Sequence, residues 1–321
     1  ACASAITRAS IDPARRLVKR MEACGDRILL PGDPSYPASL IDLEDRPPVL
    51  FGRGDLTLLD RPAVAIVGSR DHTAYGGRVA EMVAGQSAIA GLIVVSGMAR
   101  GIDGLAHRAA LQAGGGSIGV LGNGLGVIYP AANRRLYADM EAGGLLITEF
   151  PPGERPAAGS FPRRNRIISG LARATVVIEA AAGSGALITA RTALDQNRDV
   201  FAVPGPITSQ LSVGTNGLIR DGAFPLLEMA DLLFRYPELA RRAPENPAPS
   251  APARTDQARL LELLRSEPLP PDELADRMCL SGGEVLALLG GLEIGGLVRQ
   301  EAGQRFALAD PGFAAARPDP A

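Results

Sequence analysis

The sequence predicts an α/β protein. The expected architecture is a doubly wound Rossmann-like domain with a mostly parallel sheet, plus a small C-terminal winged-helix domain and a short N-terminal helical remnant. Three observations predict it. From about Pro62, short apolar runs alternate with helical stretches, the order of a doubly wound sheet. The runs are apolar on both faces, as buried parallel strands must be. Beyond a Pro- and Ala-rich segment, three short helical patterns and a strand-like pair fall within about sixty residues, the pattern of a winged helix. Composition agrees: hydrophobic residues make up 46%, aromatics only 4%, and Trp is absent. Such a core is built from Ala, Val, Leu and Ile.

Residues 1–60 read as a mixed lead-in. Ile11–Cys24 is a short amphipathic helix, and Pro31, Pro34, Pro37, Pro47 and Pro48 punctuate an extended stretch ending in Val49-Leu50-Phe51. Residues 61–242 form the Rossmann-like domain. Its strands are predicted at Val64–Val67, Leu92–Val95, Ser117–Leu121, Leu145–Thr148, Thr175–Ile178 and Asp199–Val203. Helices are predicted at Tyr75–Ala90, Asp103–Ala113, Asn133–Ala142, Ile167–Ala172 and Ala186–Gln196. Residues 243–255 form a linker whose composition cannot bury a core. Residues 256–310 form the winged-helix domain, with helices over 256–266, 271–278 and 282–294 and strands over Leu297–Gln300 and Arg305–Leu308; residues 311–321 are a tail.

Ligands of open α/β sheets bind at the carboxyl ends of the strands. Four predicted strands end there in small, hydroxyl-bearing or glycine-rich turns: Gly68-Ser69-Arg70, Ser96-Gly97, Gly122-Asn123-Gly124, and the segment from Glu179 to Ser184-Gly185. Gly and Ser at a strand end usually only make a turn. Four on one edge, brought together by the fold, point instead to a phosphate site: glycine lets the backbone approach, helix N-termini present free N–H groups, and Ser adds a donor.

The sharpest feature is Phe161-Pro-Arg-Arg-Asn-Arg-Ile-Ile-Ser-Gly170. Between Arg155 and Ile178 there are five arginines and no acid. On a helix starting near Pro162, Arg163 and Arg166 share a face, while Arg164 points elsewhere. The bland alternative is a solvated charge run. Guanidinium groups beside a glycine-lined edge make a phosphate groove instead, and Arg70 and Arg100 stand at strand turns on the same edge. The candidate residues of this groove are therefore Gly68, Ser69, Arg70, Ser96, Gly97, Arg100, Arg163, Arg164, Asn165, Arg166, Ser184 and Gly185. Asp103 is expected to be a helix N-cap. His107, inside the same helix, is expected to be a structural histidine.

Several classes are excluded by spelling. Gly122-Asn-Gly124-Leu-Gly126 lacks the third-glycine spacing of GxGxxG, and Pro130 interrupts the helix that should follow, so no nicotinamide or flavin cofactor is expected. There is no Walker A sequence. Two histidines, no GxSxG and no metal-ligand spacing leave hydrolytic machinery invisible, so the chain is expected not to be an enzyme. Three distant cysteines, Cys2, Cys24 and Cys279, imply no disulfide framework and fit a reduced cytoplasm. No apolar run reaches the length of a membrane span, and the first residues lack the order of a secretory leader. The net charge of −2 supplies no global attraction for nucleic acid, so any contact must be a local patch.

Taken together, the segments resemble the DprA/Smf family of DNA-processing proteins. The matching stretches are Val67-Gly-Ser-Arg70, Val95 through Asp103 with Ala106-His107, Val120-Leu-Gly122 with Tyr129-Pro130, and Phe161 through Gly170. Ser184 through Ala190, Val200 through Gly205, Gly214-Thr-Asn216 and Gly222-Ala223 complete the series. The resemblance runs from about residue 33 to 225. It implies a non-catalytic, cytoplasmic protein that binds single-stranded DNA during natural transformation, shields it, and helps load the RecA recombinase. It also implies a homodimer formed through the Rossmann domain. Single-strand binders usually stack bases on aromatics; Phe161 and Phe201 are the candidates by position. Residues 1–30 are too short for the family's full amino-terminal helical domain.

The winged helix is not expected to read DNA. Residues 254–310 hold six arginines against ten acids, a net charge of −4, and the third helix carries Glu284 and Glu293 with no basic residue. The expected role is protein contact or regulation. The alternative function is an enzyme. The stretch from Ser96-Gly97 to Gly122 also resembles phosphoribohydrolases that act on nucleoside monophosphates. Those carry a Pro-Gly-Gly-x-Gly-Thr loop followed by a catalytic glutamate, whereas Ala181-Ala-Gly-Ser-Gly185 is preceded by Glu179. A transcription regulator with a ligand-sensing Rossmann domain is weakened by the acidic third helix.

Overall fold

A computed structural model describes residues 11–236, 256–265, 268–278, 280–294, 297–301 and 305–308. The chain divides into two compact units, Ala1–Pro244 and Glu245–Ala321.

The first unit is built on a nine-stranded sheet of order β1-β2-β6-β5-β4-β3-β7-β8-β9. The strands are β1 (Arg27–Leu29), β2 (Leu50–Gly54), β3 (Ala63–Gly68), β4 (Ile93–Ser96), β5 (Ser117–Val120), β6 (Leu145–Thr148), β7 (Ala174–Ile178), β8 (Asp199–Ala202) and β9 (Phe224–Pro225). β3 through β9 pair in parallel, and β1 and β2 are added antiparallel at the β6 edge. The lead-in thus completes the sheet it precedes: Leu29, Tyr36, Leu40, Leu43 and Leu50 lie in the same core as Ala65, Val67 and Ile147.

The helices are α1 (Ile11–Ala23), α2 (Ala38–Ile41), α3 (Ala74–Ile89), α4 (Ile102–Gln112), α5 (Arg134–Gly143), α6 (Ser160–Leu171), α7 (Gly185–Asp195), α8 (Val213–Arg220) and α9 (Met229–Arg235). They cover both faces. Ala63, Ala65 and Val67 of β3 face Ile167 and Ile168 of α6 and Ala190 of α7. Val64 and Ile66 face Ala80 and Val83 of α3 and Ile102 and Ala106 of α4. Alternate residues of one strand thus enter opposite cores, the reason its run is apolar throughout. α6 starts seven residues before the apolar pattern that predicts it. Its first half is buried through Arg164 and Asn165 rather than through aliphatic side chains.

The strand order reverses at β3. Successive strands run outward through β4, β5 and β6, and β7 then returns to the other side of β3. The carboxyl ends of β3 and β7 therefore flank the crevice where an open α/β sheet takes its ligand.

The second unit holds α10 (Asp256–Leu264), α11 (Pro271–Met278) and α12 (Gly282–Ile294), then the antiparallel pair β10 (Val298–Glu301) and β11 (Arg305–Leu308). It has its own core of Leu260, Leu264, Leu274, Val285, Leu289 and Phe306. This is a winged helix. Ser281 and Glu284 cap α12 reciprocally, the Ser281 N–H and hydroxyl donating to the carboxylate and the Glu284 N–H to the hydroxyl. The predicted linker and tail lie outside the described residues.

Candidate nucleic-acid interface

At the switch point lies a cleft of about 850 Å³. The β3 turn contributes Gly68, Ser69 and Arg70. The β7 turn and the start of α7 contribute Ser184 and Gly185, and α6 contributes Phe161, Arg164 and Asn165. Seven of the twelve predicted residues therefore line one cavity. A second cleft of about 360 Å³ adjoins it, sharing Arg70, Tyr129, Phe161 and Arg164 and adding Gly97, Arg100, Gly122 and Asn123.

The β3 turn is braced by its own hydroxyl. Ser69 Oγ accepts from the Asp71 N–H at 3.2 Å, and Ser69 O accepts from Ile102 N, the start of α4. Ser184 caps α7, its Oγ accepting from the Ala186 N–H at 3.3 Å. Arg70 is exposed, and among the described residues no ion pair engages it. Its guanidinium carbon stands 5.9 Å from the centroid of Phe161, whose ring lies 5.4 Å from that of Tyr129 with a 36° tilt. A cation over an aromatic pair at the rim of the cleft offers a ligand one positive charge and two ring faces.

The other arginines behave differently. Arg164 is buried, 4% exposed. Its Nη1 donates to Gly97 O at 2.6 Å and to Val120 O, clipping together the ends of β4 and β5. Asp103 holds the same turn from its other side, its carboxylate accepting from the Gly97 N–H at 3.1 Å and the Ala99 N–H at 3.4 Å. Burial, opposed by Arg164, raises the Asp103 pKa. Burial likewise lowers that of Arg164 to about 10, opposed by Asp103. Gly97 is glycine because a Cβ there would stand 2.7 Å from both Arg164 Nη2 and Asp103 Oδ2. At Gly122 a Cβ would meet the Phe161 ring at 2.7 Å, so that glycine seats the aromatic platform.

Arg163 and Arg166 share a face, as their spacing predicts, but the face belongs to the protein. Both reach Glu149, whose carboxylate is buried at the end of β6: Arg163 Nη2 at 2.8 Å, Arg166 Nη1 at 2.9 Å and Nη2 at 2.8 Å. Arg166 also pairs with Asp45 at 3.2 Å, and its side chain is 11% exposed.

The candidate set is corrected accordingly. Ser96 is wholly buried and its hydroxyl donates to Ile66 O at 2.5 Å, so it has no surface for a ligand. Arg163 and Arg166 line neither cleft and are neutralised by two carboxylates remote in sequence. Arg164 lines both clefts as a strut rather than a free cation. Arg100 reaches the second cleft and stands 4.0 Å from Asp71, an exposed pair of little strength. Phe201 is 1% exposed, its ring against that of the partly exposed Phe224, so of the two aromatics expected by position only Phe161 lines the cleft. Asp103 does not cap its helix; Gly101 occupies that position, and the carboxylate serves the preceding turn.

Sequence reasoning missed Tyr129 as a contact, although the Tyr129-Pro130 pair itself stood out. It also gave no role to Glu179, which is buried with φ of 54°, a left-handed conformation that burdens a non-glycine residue. Its carboxylate accepts from Thr73 N at 2.8 Å and Thr73 Oγ1 at 2.5 Å, tying β7 to the start of α3, and it does not line the cleft. His107 is buried, with Nδ1 2.7 Å from Ser117 Oγ. That hydroxyl donates to Val94 O, so the imidazole donates through Nδ1. Burial, then Arg164 and Arg108, lower its pKa to about 3.

Comparison with known proteins gives the family and the fold. The model of the family DNA recombination-mediator protein A matches residues 27–237, and that of the DprA winged helix domain matches residues 244–304. Protein Smf of Escherichia coli is 43% identical over 278 residues, covering 84% of this chain and 74% of its own length. The DNA processing protein DprA of Streptococcus pneumoniae is 46% identical over 204 residues, covering 64% of this chain and 72% of its own. Its X-ray structure superposes with a TM-score of 0.63 at 45% identity, over 65% of this chain and 73% of that one. DNA processing protein A from Helicobacter pylori, solved for its single-stranded DNA binding mode, superposes with a TM-score of 0.61 at 29% identity, over 66% of this chain and 96% of that one.

Proposed function

The chain belongs to the DNA recombination-mediator protein A family, and on that premise we propose that it is a non-catalytic single-stranded DNA-binding protein. In this reading it shields incoming DNA in the cytoplasm and helps load the RecA recombinase during natural transformation, working as a homodimer. The observation that carries the reading is the switch-point cleft. Ser69, Arg70 and the N-terminus of α7 offer donors for phosphates, while Phe161 and Tyr129 offer rings for bases. These groups contact backbone and π-faces, so sequence readout is not expected.

Absence of catalysis is supported by how the ionisable groups are used. Glu179 is tied to Thr73 outside the cleft, and His107 lines neither cleft, being buried against Ser117 at the start of β5 and neutral at physiological pH. The phosphoribohydrolase alternative needs a glutamate beside the loop to face the ligand, a place Glu179 does not occupy. Of the two acids that line the cleft, Asp103 is engaged by the Gly97 and Ala99 N–H groups and Asp71 is an exposed turn residue. Self-association is supported by apolar side chains beyond the edge strand β9: Leu227 is 72% and Phe234 90% exposed. For the winged helix a protein-contact role is proposed. Both acids of α12, Glu284 and Glu293, are exposed, and phosphates would be repelled there.

The test is fluorescence anisotropy of a labelled oligo-dT with unlabelled duplex as competitor. Tight binding that duplex fails to displace is the expected result. Indifference to oligo-dT, or equal competition by duplex, would overturn the reading.

A further inference from the structure

We propose that a bound single strand does not end at the switch-point cleft but continues over Tyr129 and Pro130 onto a second basic cleft between α4 and α5, where Arg108 and Arg135 hold its phosphates. The proposal rests on reading the switch-point cleft as a single-strand site, and it assigns that site a longer track.

Three cavities follow one another along this edge. The first two share Arg70, Tyr129 and Phe161. The second, of about 360 Å³, opens past Pro130 and Ala132. The third, of about 510 Å³, begins at Ala132 and is lined by Arg108 and Arg135 with Asn133 and Asp139. The wall between them is fixed, because Asn133 Nδ2 donates to Met98 O at 2.9 Å and Ala99 O at 3.1 Å, joining the start of α5 to the β4 turn. The track is therefore preformed.

Its charges are available. Arg108 and Arg135 are exposed, and among the described residues neither guanidinium is held in an ion pair. This sets them apart from Arg163 and Arg166, which Glu149 already neutralises. Gly104 keeps the floor low beneath Arg108, whose Nη1 would stand 3.5 Å from a Cβ at that position. Asp139 is the one acid lining the third cleft. It opposes a polyanion, and its removal should strengthen binding.

The arrangement predicts a dependence on strand length. A probe of about six nucleotides fills the switch-point cleft, and one of about twenty also reaches the third. In the full chain, the double change Arg108→Ala, Arg135→Ala should leave the short oligo-dT bound as in the wild type. It should weaken the long one roughly tenfold and reduce its log K against log salt slope by about 1.4, two phosphate contacts at about 0.7 each on a single strand. Asp139→Asn should tighten the long probe about twofold and leave the short one unchanged, a gain that misfolding cannot imitate. Equal effects on both probes, or none on the long one, would overturn the extended track. Failure of the underlying reading is distinguishable, since the wild type would then bind neither probe.

Discussion

The arginines of α6 and the arginine of the β3 turn stand beside the same cleft and do different work. Arg163, Arg164 and Arg166 are engaged by the protein itself: the exposed Arg163 and the largely buried Arg166 share the buried Glu149, and Arg164 holds the carbonyls of Gly97 and Val120. Arg70 lies over Phe161 with no carboxylate to satisfy it among the described residues. Local density of positive charge is therefore a poor guide to a phosphate site. What matters is which guanidinium groups the fold leaves unneutralised, because a paired cation has its field cancelled at short range. Of the α6 arginines only Arg164 lines the cleft, as a strut, and Arg70 is the unpaired charge it presents.

The difference can be broken at several points. The largest effect is expected at Arg164→Ala, which leaves the Gly97 and Val120 carbonyls and the Asp103 carboxylate without their buried cation. A loss of about 3–5 kcal/mol in urea-unfolding stability is expected, with DNA binding failing as a consequence of the altered turn. Unfolding unchanged from the wild type would show that Arg164 is not a strut.

Buried against Ser117 at the start of β5, His107 folds with its pKa lowered to about 3. The unfolded chain binds a proton near pH 6.5 and the folded chain does not, so stability is full above about 6.5 and is lost as pH falls toward about 3. Asp103, whose pKa is raised by folding, contributes with the opposite sign over its own window and offsets part of the loss. A His107→Gln chain should show a shallower acid limb, by a few kcal/mol across that range. Superimposable pH–stability curves would remove the buried imidazole from the account.

Phe161→Ala tests the platform. It should cost about 1–3 kcal/mol of oligo-dT affinity, the range for one stacked base. Loss of fold is not expected, since the ring is only half-buried. The smallest effect is expected at Arg163→Ala, because Arg166 remains on Glu149 through both oxygens. Single-strand affinity should stay within about twofold of the wild type.

These distinctions also mark how far the sequence was legible. The central strands were read to within a residue or two because parallel strands buried on both faces are continuous apolar runs. β1 was not seen, being three residues long with one end exposed. The apolar pattern of α6 begins only at Ile167 because a buried polar residue carries no apolar signal, although the helix start expected near Pro162 falls two residues from the observed Ser160. Yet a signal was present: Arg164 stands three and four residues before Ile167 and Ile168, the spacing of a single helix face, and that face is the core. Glu149 could not have been matched to Arg163 and Arg166, since the pairing depends on where β6 ends beside α6. Ser96 shows the converse limit. A serine at a strand end reads as a ligand donor, and only the position of Ile66 O on the neighbouring strand shows that its proton is already used.

The most direct measurement compares Arg70→Ala with Arg163→Ala in salt titrations of oligo-dT binding. One removes an unpaired arginine of the cleft, the other a paired arginine beside it. Arg70→Ala should weaken binding roughly tenfold and lower the log–log salt slope by about 0.7, while Arg163→Ala keeps the wild-type slope. Equal losses in the two variants, or a loss confined to Arg163→Ala, would contradict the account.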